Sequence, residues 1–324
     1  MLAVAVLVPL IAALALWAFA WPAARTAPRE LPIGVAGPVA ATTPLAEQLR
    51  AREGAFDVHR YADERAARAA IEGRVVYGAV VAAPDGLRLL TASAASPVVA
   101  QLLRQAVAER APERAKVTTV DVVPAPAGDP RGAALSSSVL PLALAGVAGG
   151  AIVTALRLRG VRAVVTLLVA AAVVGVVAAA LTHTWLGVLT GDWWAEAGVL
   201  ALSSLAVAAT VAGCAALLGP AGIGVGALTM VLLGNPFSGV ASAPQLLPEP
   251  VGALGQLLPP GAGGTLLRSV AYFDGARAAA PALTLAVWAL LGLTAVLLGA
   301  LRGRRQDAAA TESASAKQAA LPVG

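Results

Sequence analysis

The side chains able to do chemistry in this 324-residue sequence are few and scattered. Its two histidines, His59 and His183, fall in different regions, and neither belongs to the H-E-x-x-H pattern that seats zinc on one helix face. His59 alternates with apolar neighbours in FDVHRYA and reads as a surface histidine on a strand. His183 closes an apolar run beside Trp185 and reads as interfacial. Cys214 is the single cysteine, so it can form neither an intramolecular disulfide nor a cysteine-based metal cluster. In its apolar run it reads as a small buried hydrophobe. GPAGIGVG (219–226) imitates a glycine-rich phosphate loop, but it lacks the lysine and the G-x-x-x-x-G-K-[ST] spacing that a P-loop needs. There is no G-x-S-x-G nucleophile elbow. No catalytic, cofactor or metal site is expected, and the chain is not expected to be an enzyme. No acidic residue inside the apolar runs is placed for a proton relay, which argues against a proton-coupled carrier.

What remains is a set of cations. Arg157, Arg159 and Arg162 crowd the tight turn RLRGVR, and Arg302, Arg304 and Arg305 follow the last apolar run. These groups carry much of the net charge of +5. Beside membrane exits they answer the positive-inside rule, so the charge predicts no nucleic-acid partner. Arg268 and Asp274 stand apart, in a proline-broken stretch, and could pair with each other or face water.

The elements that position these residues are apolar. The chain is 58% hydrophobic and only 13% charged, with a mean hydropathy of +0.79. A soluble domain carries about 25% charged residues. At 1.5 Å rise per residue, about 20 apolar residues cross a hydrocarbon core of about 30 Å. Lipid offers the backbone no hydrogen bonds, so such runs must be helices. Runs at 2–22, 136–156, 163–182, 197–218, 220–233 and 282–301 predict an α-helical polytopic membrane protein of about six transmembrane helices. The first run has no Lys or Arg before Arg25 and is longer than a signal-peptide core, so it reads as a retained helix. Trp17 and Trp21 would sit near its far interface, and Trp185, Trp193 and Trp194 at another membrane boundary with Asp192 and Glu196. Gly146, Gly149 and Gly150 would let helices approach closely.

Residues 25–135 change character and predict an α/β domain in the order β-α-β-α-β-β-α-β. Strands are expected at 31–37, 56–62, 75–83, 87–94 and 117–125, the middle pair a hairpin around Pro84-Asp85-Gly86. Helices are expected at 43–54, 63–74 and 96–110, capped by Thr43, Asp63 and Ser96, with Pro97 at a first position. With the basic turns on the cytoplasmic side, both termini fall inside the cell and the α/β domain outside, inserted between helices one and two. The division is thus a first helix (1–24), the extracytoplasmic domain (25–135), a five-helix membrane domain (136–301) and a polar, disordered cytoplasmic tail (302–324).

The stretch 234–278 is the exception to this order. Asn235 and Pro236 open it, and Pro244, Pro248, Pro250, Pro259 and Pro260 forbid a regular span, yet it is not hydrophilic. It predicts two short helices, 251–258 and 263–273, in or dipping into the outer leaflet. They would form either a gate or an interfacial cap between helices five and six.

The phrases LPIGVAGPVA, AIEGRVVYGAVVAAPDGLRLLTASAAS and LGNPFSGVASAPQLLPEPVGALGQLLPPGAGGTLLRSVAYFDGA, in this arrangement, resemble an ABC-2-type permease, more narrowly the actinobacterial YhgE/Pip-like membrane proteins. The resemblance spans most of residues 1–301. It implies a plasma-membrane permease subunit of an exporter that forms a homo- or heterodimer and draws energy from a separate ATPase, with no cofactor of its own. Arg157, Arg159 and Arg162 would then form the ATPase-coupling turn. Asn235, Pro236, Pro259, Pro260, Arg268 and Asp274 would mark the gate or cap. The competing expectation is a non-transporting scaffold or receptor whose outer domain binds a secretion component or a phage.

Overall fold

The computed structural model describes residues 2–84, 86–109 and 117–319. Helix α1 (Leu2–Ala24) leads into a five-stranded domain. There β1 (Leu31–Ala36), α2 (Val39–Arg50), β2 (Phe56–Tyr61), α3 (Glu64–Glu72), β3 (Gly78–Ala83), β4 (Gly86–Thr91), α4 (Pro97–Ala108) and β5 (Val117–Asp121) follow the expected order. The spatial order is β2-β1-β3-β4-β5. Only the β3–β4 hairpin is antiparallel; the other neighbours pair in parallel through helical crossovers. Asp85 of the expected hairpin turn lies outside the described residues, as does the end of the 96–110 helix.

Local chemistry explains the helix starts. The Asp63 side chain accepts from Ala66 N at 2.8 Å, and Ser96 Oγ accepts from Val99 N at 3.2 Å with Pro97 at the first position. Thr43 is not a cap. Helix α2 starts at Val39, directly after Pro38 at φ −56°, and Thr43 Oγ1 donates back to Val39 O at 2.8 Å. A threonine inside a helix satisfies its hydroxyl in this way.

Strand alternation sorts the apolar residues onto two faces. Leu31, Ile33, Val80 and Leu89 bury with Val99 and Leu103 of α4, while Ala36, Val81 and Leu90 bury with Ala67 and Ile71 of α3. Both faces are covered, as a largely parallel sheet requires.

The chain then enters α5 (Ala133–Ala155). Buried Asp129 holds its first turn, accepting from the amides of Ala133, Ala134 and Leu135 at 2.7, 2.9 and 3.2 Å. Helix α6 (Val161–Ala179) runs on through a π-helical turn to Trp185, and α7 (Trp193–Leu218) follows, with the Asp192 side chain accepting from Ala195 N. Helix α8 (Pro220–Ala227) continues as a π-helical segment to Gly234, α9 (Val251–Gln256) and α10 (Pro259–Tyr272) occupy the broken stretch, and α11 (Ala279–Ala319) closes the chain.

Five of these helices (α1, α5, α6 with its π turn, α7 and α11) are long and apolar enough to cross a membrane. The expected fifth span is shorter: Pro220–Gly234 is an apolar helix below spanning length. Its 15 residues rise about 22 Å. Gly219-Pro220 starts it late, and Pro236, in the turn beyond Gly234, leaves no regular helix to extend it.

Helix α7 is the hub. In its apolar window 67% of the residues are buried, against 11–28% in the other four. Its neighbours come close because small residues face it. A Cβ on Gly175 of α6 would stand 2.4 Å from Ala197 O, on Gly150 of α5 2.6 Å from Ala208 O, and on Gly292 of α11 2.4 Å from Ala209 C. Gly146 makes the same kind of approach against Val207, whereas Gly149 meets nothing nearer than 3.8 Å.

One expectation is corrected here. The tail is not disordered over its described length, because α11 runs 41 residues, through Ala319. Its alanine-rich sequence propagates a helix already nucleated by packing. Residues 320–324 lie outside the described residues. The two short helices expected within 234–278 are present as α9 and α10. Pro259 and Pro260 occupy the first turn of α10, where proline needs no donor. The helix they start is buried against α7, α11 and α5, with Leu266, Leu267 and Ala271 in the main core.

Candidate functional site

The expected site residues fall at opposite ends of the bundle. At the end away from the sheet, α5 stops at Leu156 and Arg157 takes a left-handed φ of 54°. Arg157 N donates to Thr154 O and Leu158 N to Val153 O, the pairing that satisfies the last carbonyls of a helix. Glycine is the relaxed residue at such a position, and an arginine there carries backbone strain. Arg157 and Arg159 line a cavity of about 540 Å³ together with Arg302 of α11. Small residues of α7 and α11, among them Ala216 and Gly299, form its floor. Arg162 is exposed on the first turn of α6 and does not line the cavity, so the structure brings together two of the three expected arginines and adds Arg302. The sequence signalled Arg302 only as a topology anchor.

At the sheet end, the gate residues separate. Pro260 packs against Gly234, where a Cβ would stand 2.7 Å from Pro260 Cγ, and Pro259 stands beside it in the first turn of α10. Both prolines line a narrow apolar cleft of about 30 Å³ with Leu142, Leu200 and Ser203. Arg268 is 6% exposed and Nη2 donates to Val240 O at 2.9 Å. Asp274 is exposed at a left-handed φ of 48°, so the two are not paired. The Asn235 carbonyl accepts from Ser238 Oγ at 2.6 Å and serves the turn that follows α8. Pro236 stands in the same turn, half-buried.

The broken stretch also fastens the sheet domain to the bundle. Ala243 and Leu246 enter one face's core and Phe273 the other's. Leu246 O accepts from Ala27 N at 3.0 Å and from Arg29 Nη1 at 2.9 Å, and Tyr77 Oη donates to Gln245 Oε1 at 2.9 Å. Arg74 follows α3 at a left-handed φ of 55° and points the other way, from the domain onto α10. Its Nη1 donates to Thr265 O at 2.9 Å and to Ser269 Oγ, and its guanidinium lies 5.2 Å over the Phe273 ring. Burial, with the charges of Arg268 and Arg277 adding to it, holds Arg74 down at about 10. Burial likewise pushes the Tyr77 phenol up.

One pair escaped the sequence. Glu196, expected in the joint at a membrane boundary, is completely buried in the first turn of α7. Its Oε2 lies 2.7 Å from His183 Nδ1 and its Oε1 accepts from Gly191 N at 2.8 Å, so it ties the end of α6 to the start of α7. The clue in sequence was a carboxylate one helical turn past an N-cap aspartate, within reach of a histidine across a short loop. Cys214 is half-buried on α7, and His59 is at the surface with Nε2 2.9 Å from Asp57 Oδ2. Among the described residues there is no cluster of metal-ligating side chains. Comparison with family models, with curated proteins and with solved structures finds no match to this chain.

Proposed function

We propose that the chain is the membrane permease subunit of an ABC-2-type exporter, working as a homo- or heterodimer with a separate ATPase in the plasma membrane. The observation that carries the reading is the basic cavity at the end away from the sheet domain, with Arg157 held in it by strained backbone. Strained residues persist where the surroundings impose them, and they concentrate at functional contacts. A concave, cationic recess of about 540 Å³ between helix ends would receive an acidic or helical projection of a soluble partner.

In this reading that end is cytoplasmic, in accord with its arginines, and the sheet domain is extracytoplasmic. Pro220–Gly234 supplies the fifth crossing together with the turns that follow it, returning the chain to the sheet domain's end. Its broken backbone is admissible at membrane depth because protein covers it. The buried α10, braced between α7 and α11, is then the element that would transmit movement of the bundle to the outer domain.

The test is a mild-detergent pull-down of the full chain with ATPase assay. The expected result is a co-purifying P-loop ATPase that is lost from Arg157→Gly and from the Arg157/Arg159/Arg302→Ala variant. Arg157→Gly removes the charge while relaxing the backbone, so its loss of partner cannot be ascribed to misfolding. No ATPase with the native chain, or equal recovery with both variants, would overturn the reading.

A further inference from the structure

A second cavity, of about 200 Å³, lies where the sheet domain meets α9 and α10. Three arginines converge on it from three places. Arg74 comes from the end of α3, Arg268 from the middle of α10 and Arg277 from the loop before α11. Tyr77, Gln256 and Thr265 add polar groups. Among the described residues none of the three arginines is ion-paired with a carboxylate. Asp129 shares a smaller neighbouring cavity with Arg268, but both its oxygens are engaged by the first three amides of α5. A cation as buried as Arg268 is costly unless something balances it. Two of the three, Arg74 and Arg277, also sit at φ 55°, where glycine would be unstrained. Three clustered arginines, one of them buried and none ion-paired among the described residues, with only the amide-engaged Asp129 as a nearby carboxylate, are the complement of an anion.

We propose that this cavity binds a phosphate group, carried either by a small soluble phosphate or by the headgroup of an anionic lipid, between the guanidiniums of Arg74, Arg268 and Arg277. Guanidinium matches phosphate and carboxylate geometry alike, through paired N–H donors. The charge decides between them. A phosphate monoester carries about −1.5 to −2 at pH 7, against −1 for a carboxylate, and so balances more of three cations. The position admits either source, since α10 forms one wall from within the bundle and the soluble domain forms the other. The site would hold its anion whether or not the chain works with an ATPase.

The experiment uses the full chain, delipidated in an uncharged detergent free of phosphate. Its thermal unfolding is titrated with sodium phosphate at constant ionic strength, and separately with dioleoyl phosphatidic acid against dioleoyl phosphatidylcholine. The expected result is a midpoint that rises with the concentration of at least one phosphate probe and not with chloride or phosphatidylcholine. A response to sodium phosphate assigns a soluble ligand; a response to phosphatidic acid alone assigns the headgroup. Arg74→Gly and Arg277→Gly relax left-handed backbone, and a cooperative unfolding transition of each variant without phosphate checks that it is folded. Each should weaken the apparent affinity on the order of tenfold, the loss of one charge-assisted contact. Arg268→Gln should abolish the response. A midpoint unmoved by both phosphate probes, or a shift of full size in the Arg74→Gly/Arg277→Gly double variant, would overturn the proposal.

Discussion

Single residues carry the polar organisation of this protein, because so few polar residues are buried. Glu196 is the sharpest case. Removing its carboxylate leaves the Gly191 amide and the His183 ring without their partner. Glu196→Ala should therefore cost about 2–3 kcal/mol, the range for hydrogen bonds to a buried charge. Glu196→Gln keeps an acceptor and should cost less. Chemical denaturation in detergent, followed by tryptophan fluorescence of the neighbouring Trp193 and Trp194, reads the difference. Glu64 makes a pH prediction. Hydrogen bonds from Arg68 and then Arg88, at 2.7 and 2.6 Å, hold its carboxyl below its ordinary value of 4.5. A depressed folded-state value means that the stabilisation is fully present above pH 4.5 and is lost as pH falls through the lowered value. The group is partly solvated, so the loss should stay under about 1 kcal/mol. It should vanish in Glu64→Gln, measured as the difference in unfolding midpoint between pH 6 and pH 3.

Among the elements, close approach and end chemistry decide. Helix α11 touches α7 backbone to backbone at Gly292, and no side chain fits there. Gly292→Val should cost at least about 1–3 kcal/mol, the scale of overpacking in a dense interior. A matching substitution at Gly198, where a Cβ meets nothing within 4 Å, should be nearly neutral. Paired unfolding curves distinguish packing from a general intolerance of bulk. At the end of α5 the expectation reverses. Arg157→Gly relieves a left-handed residue and should raise stability by about 1 kcal/mol, even as it removes the proposed contact with an ATPase. A gain in stability with a loss of partner is the signature of strain kept for function.

The whole molecule is held together by the stretch that a sequence would place at its edge. Residues 243–246 and Phe273 complete both cores of the sheet domain while α10 is buried in the bundle. The two halves should therefore unfold together. Leu246 is fully buried, so Leu246→Ala should cost about 2–5 kcal/mol. Limited proteolysis should then release the sheet domain from the bundle at a protease dose the native chain resists. Cleavage patterns identical in the two would show that the domain stands without this bolt.

Periodicity and composition alone determined the membrane class, the order of sheet elements and the caps at Asp63 and Ser96. These depend on residues near one another in the chain, where hydrogen-bond geometry and side-chain period act directly. Helix starts under proline control were less legible: Thr43 offered a capping hydroxyl, but Pro38 had already set the backbone. The fate of 234–278 was decided only by tertiary structure. Its prolines exclude a span whatever surrounds them, but burial or exposure of the two short helices depends on whether α5, α7 and α11 leave room between them. The same holds for Glu196, Arg74 and Arg268. A charged side chain in sequence predicts solvent, and only long-range packing brings it a histidine, a carbonyl or two more arginines.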